Sequence, residues 1–168
     1  MVPTVIRRCR DSEGEAILAV INQAAEAYRG VIPPDRWHEP YFPLRELEEA
    51  IASGVAFWGC ETEGELSGVM GIQPVGDVEL IRHAYVVPAR QGLGIGGALL
   101  EHLMRRSSCQ VLVGTWAAAE WAIRFYQRHG FELVAPSRTA DLLRRYWSIP
   151  ERQIETSVVL ARPPLAGG

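Results

Sequence analysis

The residues with the clearest chemical potential lie in one stretch, Tyr85-Val86-Val87-Pro88-Ala89-Arg90-Gln91-Gly92-Leu93-Gly94-Ile95-Gly96-Gly97-Ala98-Leu99-Leu100. A β-type run ends at a proline, four glycines follow within six positions, and an amphipathic helical pattern begins inside them. Glycine lets a backbone approach a ligand closely and aim successive N–H groups at it. The unpaired N–H groups of a starting helix add positive partial charge, so a phosphate or pyrophosphate is the natural occupant. Gly92, Gly94 and Gly97 also satisfy the G-x-G-x-x-G pattern of dinucleotide sites. That reading requires an acid at the end of the next strand to hold a ribose. Here the first acid after Glu101 is Glu120, inside the following helical pattern. The Gly-Lys-Ser/Thr ending of a nucleotide-phosphate loop is missing as well.

Other chemistries find less support. Cys9, Cys60 and Cys109 are odd in number and widely spaced, which argues against a disulfide framework. His38, His83, His102 and His129 show no HxxxH or HExxH spacing, so no metal site is expected.

The elements that must position the loop follow from periodicity and turn signals. Thr4 to Arg8 reads as a first strand, and Asp11 or Ser12 as the start of a helix carrying Ile17, Ile21, Ala24 and Tyr28 on one face. Gly30 and Pro33-Pro34 stop it, opening a Tyr28–Trp37 loop rich in large side chains. Leu44, Leu47 and Ile51 mark a short helix. Strands are expected at Val55–Cys60, Leu66–Gln73 and Val78–Val87, the first two joined by a Glu63-Gly64 hairpin. Ile95, Leu99 and Leu103 mark the helix after the glycines, and Gln110–Thr115 the next strand. Ala117–Arg128 reads as a helix stopped by Gly130. Phe131–Val134 and Ile154–Leu160 are the last strands, with a helical insertion at Thr139–Trp147. An antiparallel run followed by β-α-β units predicts an α/β domain. Its mixed, mostly antiparallel sheet would have six to seven strands and helices on both faces. One domain is expected, with a core over about residues 4–161 and a tail at 162–168.

Two blocks carry a resemblance. Val86-Val87-Pro88 followed by Gln91-Gly92-Leu93-Gly94-Ile95-Gly96 is similar to the acetyl-CoA signature of the GNAT family of N-acetyltransferases, Q/R-x-x-G-x-G/A after a strand ending V-x-P. Trp121-Ala122-Ile123-Arg124-Phe125-Tyr126-Gln127-Arg128-His129-Gly130-Phe131 resembles the family's helix that ends in a tyrosine before Gly-Phe. The resemblance implies the GNAT fold with splayed central strands. It also implies transfer of an acetyl group from acetyl-CoA to a primary amine by direct attack in a ternary complex. A regulatory acyl-CoA-binding module of the same fold is the alternative.

By that resemblance the cofactor would be held by Ala84, Tyr85, Val86, Val87, Gln91, Gly92, Leu93, Gly94, Ile95, Gly96 and Gly97. The loop would bind the pyrophosphate and the strand would bind the pantetheine arm, with a free N–H near Val86 or Val87 polarising the thioester carbonyl. Tyr126 would protonate the leaving thiolate. The family's glutamate on the long central strand falls at Leu80, one residue from Glu79, and His83 is the other titratable group there. Glu79 and His83 share strand parity, so both are expected on one face, as candidates for the base. An asparagine common in relatives is replaced by Ala119. The acceptor walls would come from the Tyr28–Trp37 loop and from the segment between the last two strands, which holds Arg138, Asp141, Arg144, Arg145, Tyr146 and Trp147, with Tyr28, Trp37 and Tyr146 as the named candidates.

Composition bounds the partners. The 168 residues carry a net charge of −3, with 48% hydrophobic and 22% charged residues, as one ordered domain requires. A pI near 5.8 without a basic run argues against nucleic acid as a partner. No apolar stretch approaches the ~18 residues of a membrane span, and the start lacks a secretory core, so a cytoplasmic location is expected. The expected partner is a small-molecule or peptide amine, with a homodimer plausible.

Overall fold

The computed structural model describes residues 4–166. Seven strands form one sheet: β1 (Thr4–Arg8), β2 (Ala56–Thr62), β3 (Glu65–Val75), β4 (Val78–Val86), β5 (Gln110–Trp116), β6 (Glu132–Leu133) and β7 (Ser157–Arg162). Six α-helices accompany them: α1 (Gly14–Ala24), α2 (Leu44–Ala52), α3 (Ile95–Arg106), α4 (Glu120–Arg128), α5 (Pro136–Tyr146) and α6 (Glu151–Glu155). The spatial order is β1-β2-β3-β4-β5-β7-β6, and only β4 and β5 run parallel.

Alternation along the strands gives the sheet two apolar faces. One face packs Cys60, Met70, Ile81, Val111, Val113 and Leu160 against Ile95, Leu99, Leu100 and Leu103 of α3 and Tyr126 of α4. On the other, Val55, Phe57 and Val69 meet α1 and α2, while Leu80, Leu112 and Val159 meet Leu143 of α5. Arg7 ties the N-terminal edge together through Glu13 (2.8 Å) and Glu61 (2.8 Å).

Two features of β4 shape the centre of the molecule. Its ladder with β5 extends only from Val78↔Gln110 to Ile81↔Val113. Beyond it, β5 stays paired with β7 as far as Trp116, whereas β4 continues to Val86 beside β3 alone. The two parallel strands thus splay apart. The second feature is a bulge. Val69 faces Tyr85 and Gly71 faces Arg82, so three steps on β4 match two on β3. The extra residue is taken up at His83, which adopts φ +54°.

Several boundaries differ from the sequence reading. Ile154 lies in α6, and the last strand begins at Ser157 and includes Arg162. That arginine donates to Glu101 Oε1 (2.9 Å) and to the His129 carbonyl (2.9 Å), so the domain extends past residue 161. Helix α4 starts at Glu120, three residues later than read. Among the described residues no helix is long and apolar enough to cross a membrane.

Candidate active site

The splay opens a cleft of about 1350 Å³ through the centre of the molecule. Single small-molecule sites usually measure roughly 300–1,000 Å³. This cleft therefore has room for more than one substrate.

One end is the glycine loop. Gly92 (φ +81°) and Gly94 (φ +82°) are left-handed, and added Cβ atoms at either would meet nothing within 4 Å. The left-handed backbone favours glycine at both, while no neighbouring atom occupies the space a side chain would take. The open space beside them is what a ligand backed against the loop requires. Gly94 is the N-cap of α3, and its carbonyl accepts from Ala98 N–H at 2.9 Å. The N–H groups of the first helical turn lack helical partners and face outward. Gly97 is small for another reason: a Cβ there would lie 2.9 Å from the His129 ring. Arg90, Arg105 and Arg128 also line the cleft and supply positive charge.

The strand between loop and bulge offers backbone. Val87 N–H donates to Ser67 O at 2.9 Å. Opposed pairs in an antiparallel ladder alternate between bonded and unbonded, so Val86 N–H points away from β3, into the opening. The Val86 carbonyl accepts Gln91 Nε2 at 3.0 Å, which fixes the loop to the strand. Of the two expected N–H groups, Val87 is thus committed to β3 and Val86 faces the cleft. The Val87 side chain packs toward the α1 cluster, and Leu93 is exposed off the cleft wall.

Tyr126 lines the cleft from α4 and is 6% exposed. Its ring is held edge-on by Phe125 (5.1 Å) and Phe131 (5.5 Å). Burial, reinforced by nearby Tyr28, pushes its phenol above the usual range, so it is a protonated donor at neutral pH. Tyr28, Tyr41 and Tyr85 form the opposite wall. The Tyr28 ring meets Tyr41 (5.9 Å) and Tyr85 (6.2 Å), and Trp116 Nε1 donates to the Tyr41 hydroxyl at 3.4 Å. Burial pushes Tyr28 up to about 12 and also raises Tyr41 and Tyr85. The cluster is a neutral hydrogen-bonding surface.

The expected base residues are not brought together. The bulge turns His83 to the α1–α2 face, against Phe42 (4.6 Å) and Phe57 (5.8 Å), where it still lines the cleft. Glu79 lies before the bulge on the α3 face. It accepts from Ser107 Oγ (2.5 Å) and Cys109 Sγ (3.2 Å), outside the cleft. The expectation of a shared face fails because one inserted residue reverses strand parity.

His83 Nε2 is buried without a partner. Burial, with Arg82 beside it, lowers the imidazole to about 3. Its folded-state pKa is thus below the ordinary ~6.5 of an unfolded histidine. As pH falls from that value towards 3, only the unfolded chain takes the proton, and stability drops by about 1.4 kcal/mol per pH unit. Urea unfolding at pH 7.5, 6 and 5 should therefore show His83→Asn losing less stability with acid than the parent. Asparagine tolerates the left-handed backbone. Glu13, lowered to about 2 mainly by its Arg7 hydrogen bonds, adds acid lability only below about 4.5, outside this range. Parallel pH curves for the two proteins would contradict the assignment.

The acceptor wall differs from expectation in part. Tyr28 lines the cleft, but Trp37 stands behind Tyr41 (5.4 Å) with Arg29 over its ring, and Tyr146 donates to Asp77 (2.6 Å) away from it. Arg144 pairs with Glu151, Arg138 bonds the Ala166 carbonyl, and Arg145 lies over Tyr146; none lines the cleft. Ala119 is fully buried against Ile32 and Trp116, so packing fills the asparagine position. Arg36 of the expected Tyr28–Trp37 loop and Trp147 of the expected late segment do line the cleft, and the lining residues that sequence reasoning did not name are Tyr41, Trp116 and Gln153. Tyr41 lies in the aromatic-rich stretch just after that loop, whereas Trp116 and Gln153 come from distant parts of the chain and carry no local signal. Among the described residues no cluster suited to a metal ion is found.

A glycine loop at the head of α3 thus feeds a cleft between two splayed parallel strands. Residues 53–133 match the acetyltransferase (GNAT) domain family. The chain is 30% identical over 138 residues to the uncharacterized N-acetyltransferase YjgM of Escherichia coli K12, covering 76% of this chain and 81% of that protein. It is 25% identical over 145 residues to the peptidyl-lysine N-acetyltransferase YjaB of the same organism, covering 84% and 90%. The structure of the PaiA N-acetyltransferase from Thermoplasma acidophilum in complex with coenzyme A superposes with a TM-score of 0.70 at 16% identity, covering 95% and 98%. The chain belongs to the GNAT acetyltransferase family, and it is an acyltransferase.

Proposed function

We propose that the protein transfers an acetyl group from acetyl-CoA to a primary amine by direct attack within a ternary complex. The observation that carries this is the continuous cleft joining the left-handed Gly92/Gly94 loop, the outward Val86 N–H and the Tyr126 phenol. In this reading Gln91 to Gly97 hold the pyrophosphate, with Arg90, Arg105 and Arg128 adding charge. The backbone from Ala84 to Val86 lies along the pantetheine arm. Acetyl-CoA supplies the activated thioester. Val86 N–H donates to the carbonyl oxygen as negative charge develops there. Tyr126 donates its proton to the departing sulfur.

The amine must lose a proton. An alkylammonium with a pKa of ~10.4 costs about 4–5 kcal/mol to neutralise at pH 7. Glu79 is outside the cleft, and His83 at about 3 is too weak a base. In this reading neither of them takes the proton, and water along the tyrosine wall carries it away. A regulatory acyl-CoA-binding module would share the loop but need no phenol donor at the sulfur. Release of free thiol from acetyl-CoA, measured against a panel of amines, separates the two. Amine-dependent release supports transfer, and tight CoA binding with no release from any amine supports the regulatory module.

A further inference from the structure

We infer that Arg36, with Gln153, is an anion-reading pair that selects amine acceptors bearing a carboxylate. The inference rests on the transferase reading above and names the acceptor class of that same cleft.

Arg36 lines the cleft from the Tyr28–Trp37 loop and meets Gln153 there; Tyr41, Trp116 and Trp147 line the same cleft. Its guanidinium carries five N–H donors and no acceptor. Yet among the described residues no carboxylate reaches ion-pair distance of it. Asp35 pairs with Arg152 (3.5 Å) and Glu39 with Arg29, while Glu46 lies 4.0 Å from the His38 ring. The one side-chain hydrogen bond of Arg36 is long, from Nη2 to Gln153 Oε1 at 3.4 Å. Its Nε is buried and unpartnered. A buried donor left unpaired costs about 1–3 kcal/mol, so a ligand that satisfies it gains in proportion.

The surroundings define that ligand. Among the cleft's other cations, Arg82 donates to Gln73 Oε1 (3.1 Å), Arg90 pairs with Glu63 (3.2 Å), and Arg105 and Arg128 belong to α3 and α4 on the loop side. Arg36 is thus the free cation on the acceptor wall among the described residues. One positive charge balances one negative charge, which favours a carboxylate over a phosphate dianion. A guanidinium edge matches two carboxylate oxygens in a plane. With its oxygen turned to Arg36, the Gln153 amide keeps its NH₂ as a further donor. The aromatic rings that share the cleft suit an apolar side chain carried on the same carbon as the amine and the carboxylate. The acceptor chemistry is that of a free amino acid with an apolar side chain.

The test compares matched amines with the full-length protein: phenylalanine against phenethylamine, and leucine against isoamylamine. The parent should favour the carboxylated member of each pair at least tenfold in kcat/KM. Arg36→Gln should collapse that preference to near unity, with the loss in KM, because the contact exists before and during reaction. Arg36→Lys should restore part of it, since it keeps charge but not the planar fork. Circular dichroism and CoA affinity check that each variant is folded. Equal kcat/KM within each pair, or a preference that survives Arg36→Gln, overturns the inference and leaves the transferase reading standing. Absence of thiol release with any amine overturns the transferase reading. Binding to the CoA complex, measured by calorimetry, then decides Arg36 separately. N-acetylphenylalanine should bind at least tenfold tighter than N-acetylphenethylamine in the parent and equally in Arg36→Gln, and equal binding in the parent overturns the inference.

Discussion

Replacing Tyr126 by phenylalanine is expected to lower turnover about 10²–10⁴-fold, the usual contribution of a positioned acid. The substitution keeps the ring between Phe125 and Phe131 and removes only the hydroxyl. The phenol is a competent donor because burial holds it protonated. Affinity for CoA should change little, since ground-state binding falls to the loop backbone and the cleft's arginines. A rate loss in the chemical step without an affinity loss marks an interaction made mainly in the transition state. Stability must be measured alongside, because a lost structural hydrogen bond would cost about 0.5–1.5 kcal/mol. A folded variant with full turnover would show that Tyr126 is packing and that solvent protonates the thiolate.

Local sequence foretold the parts of this site that depend on local geometry. Gly92 and Gly94 are left-handed residues ahead of a helix, and their spacing announced this. Tyr126 stood out only through the family resemblance of its block, while Gly130, at φ +84°, locally marks the end of its helix. The order of strands followed from hairpin signals such as Glu63-Gly64, both at positive φ. What stayed hidden depends on tertiary register. The bulge at His83 has no turn residue to mark it; Met70 across the ladder simply faces two positions. That one residue separated Glu79 from His83. The acceptor wall was misread for a related reason. Arg138, Arg144 and Arg145 sit on a predicted helix, but α5 turns Leu143 inward and leaves these arginines to surface partners. Arg36 meets Gln153 across 117 positions of chain, a pairing no local pattern encodes.

Gly94→Val is expected to weaken CoA binding at least tenfold, about 1.4 kcal/mol. Two effects act together. Valine at φ +82° is strained, and sparsely populated backbone conformations cost of order 1–3 kcal/mol. To relieve that strain the loop must rotate, which re-aims the N–H groups at the start of α3. The new side chain also projects into the open space beside the loop, where a phosphate would lie. Neither effect disturbs a core contact, because nothing lies within 4 Å of the added Cβ. The variant should therefore fold with Ile95, Leu99 and Leu103 still packed, and titration calorimetry can read affinity directly. Gly94→Ala separates the two contributions, since it adds strain without a branched side chain and should lose less affinity than valine. A second readout is thermal: CoA at 100 times its dissociation constant stabilises the parent by about 2.7 kcal/mol, and a tenfold weaker variant gains only about 1.4. A folded Gly94→Val protein with undiminished CoA affinity would remove the loop from the site, and with it the placement of the pyrophosphate at the head of α3.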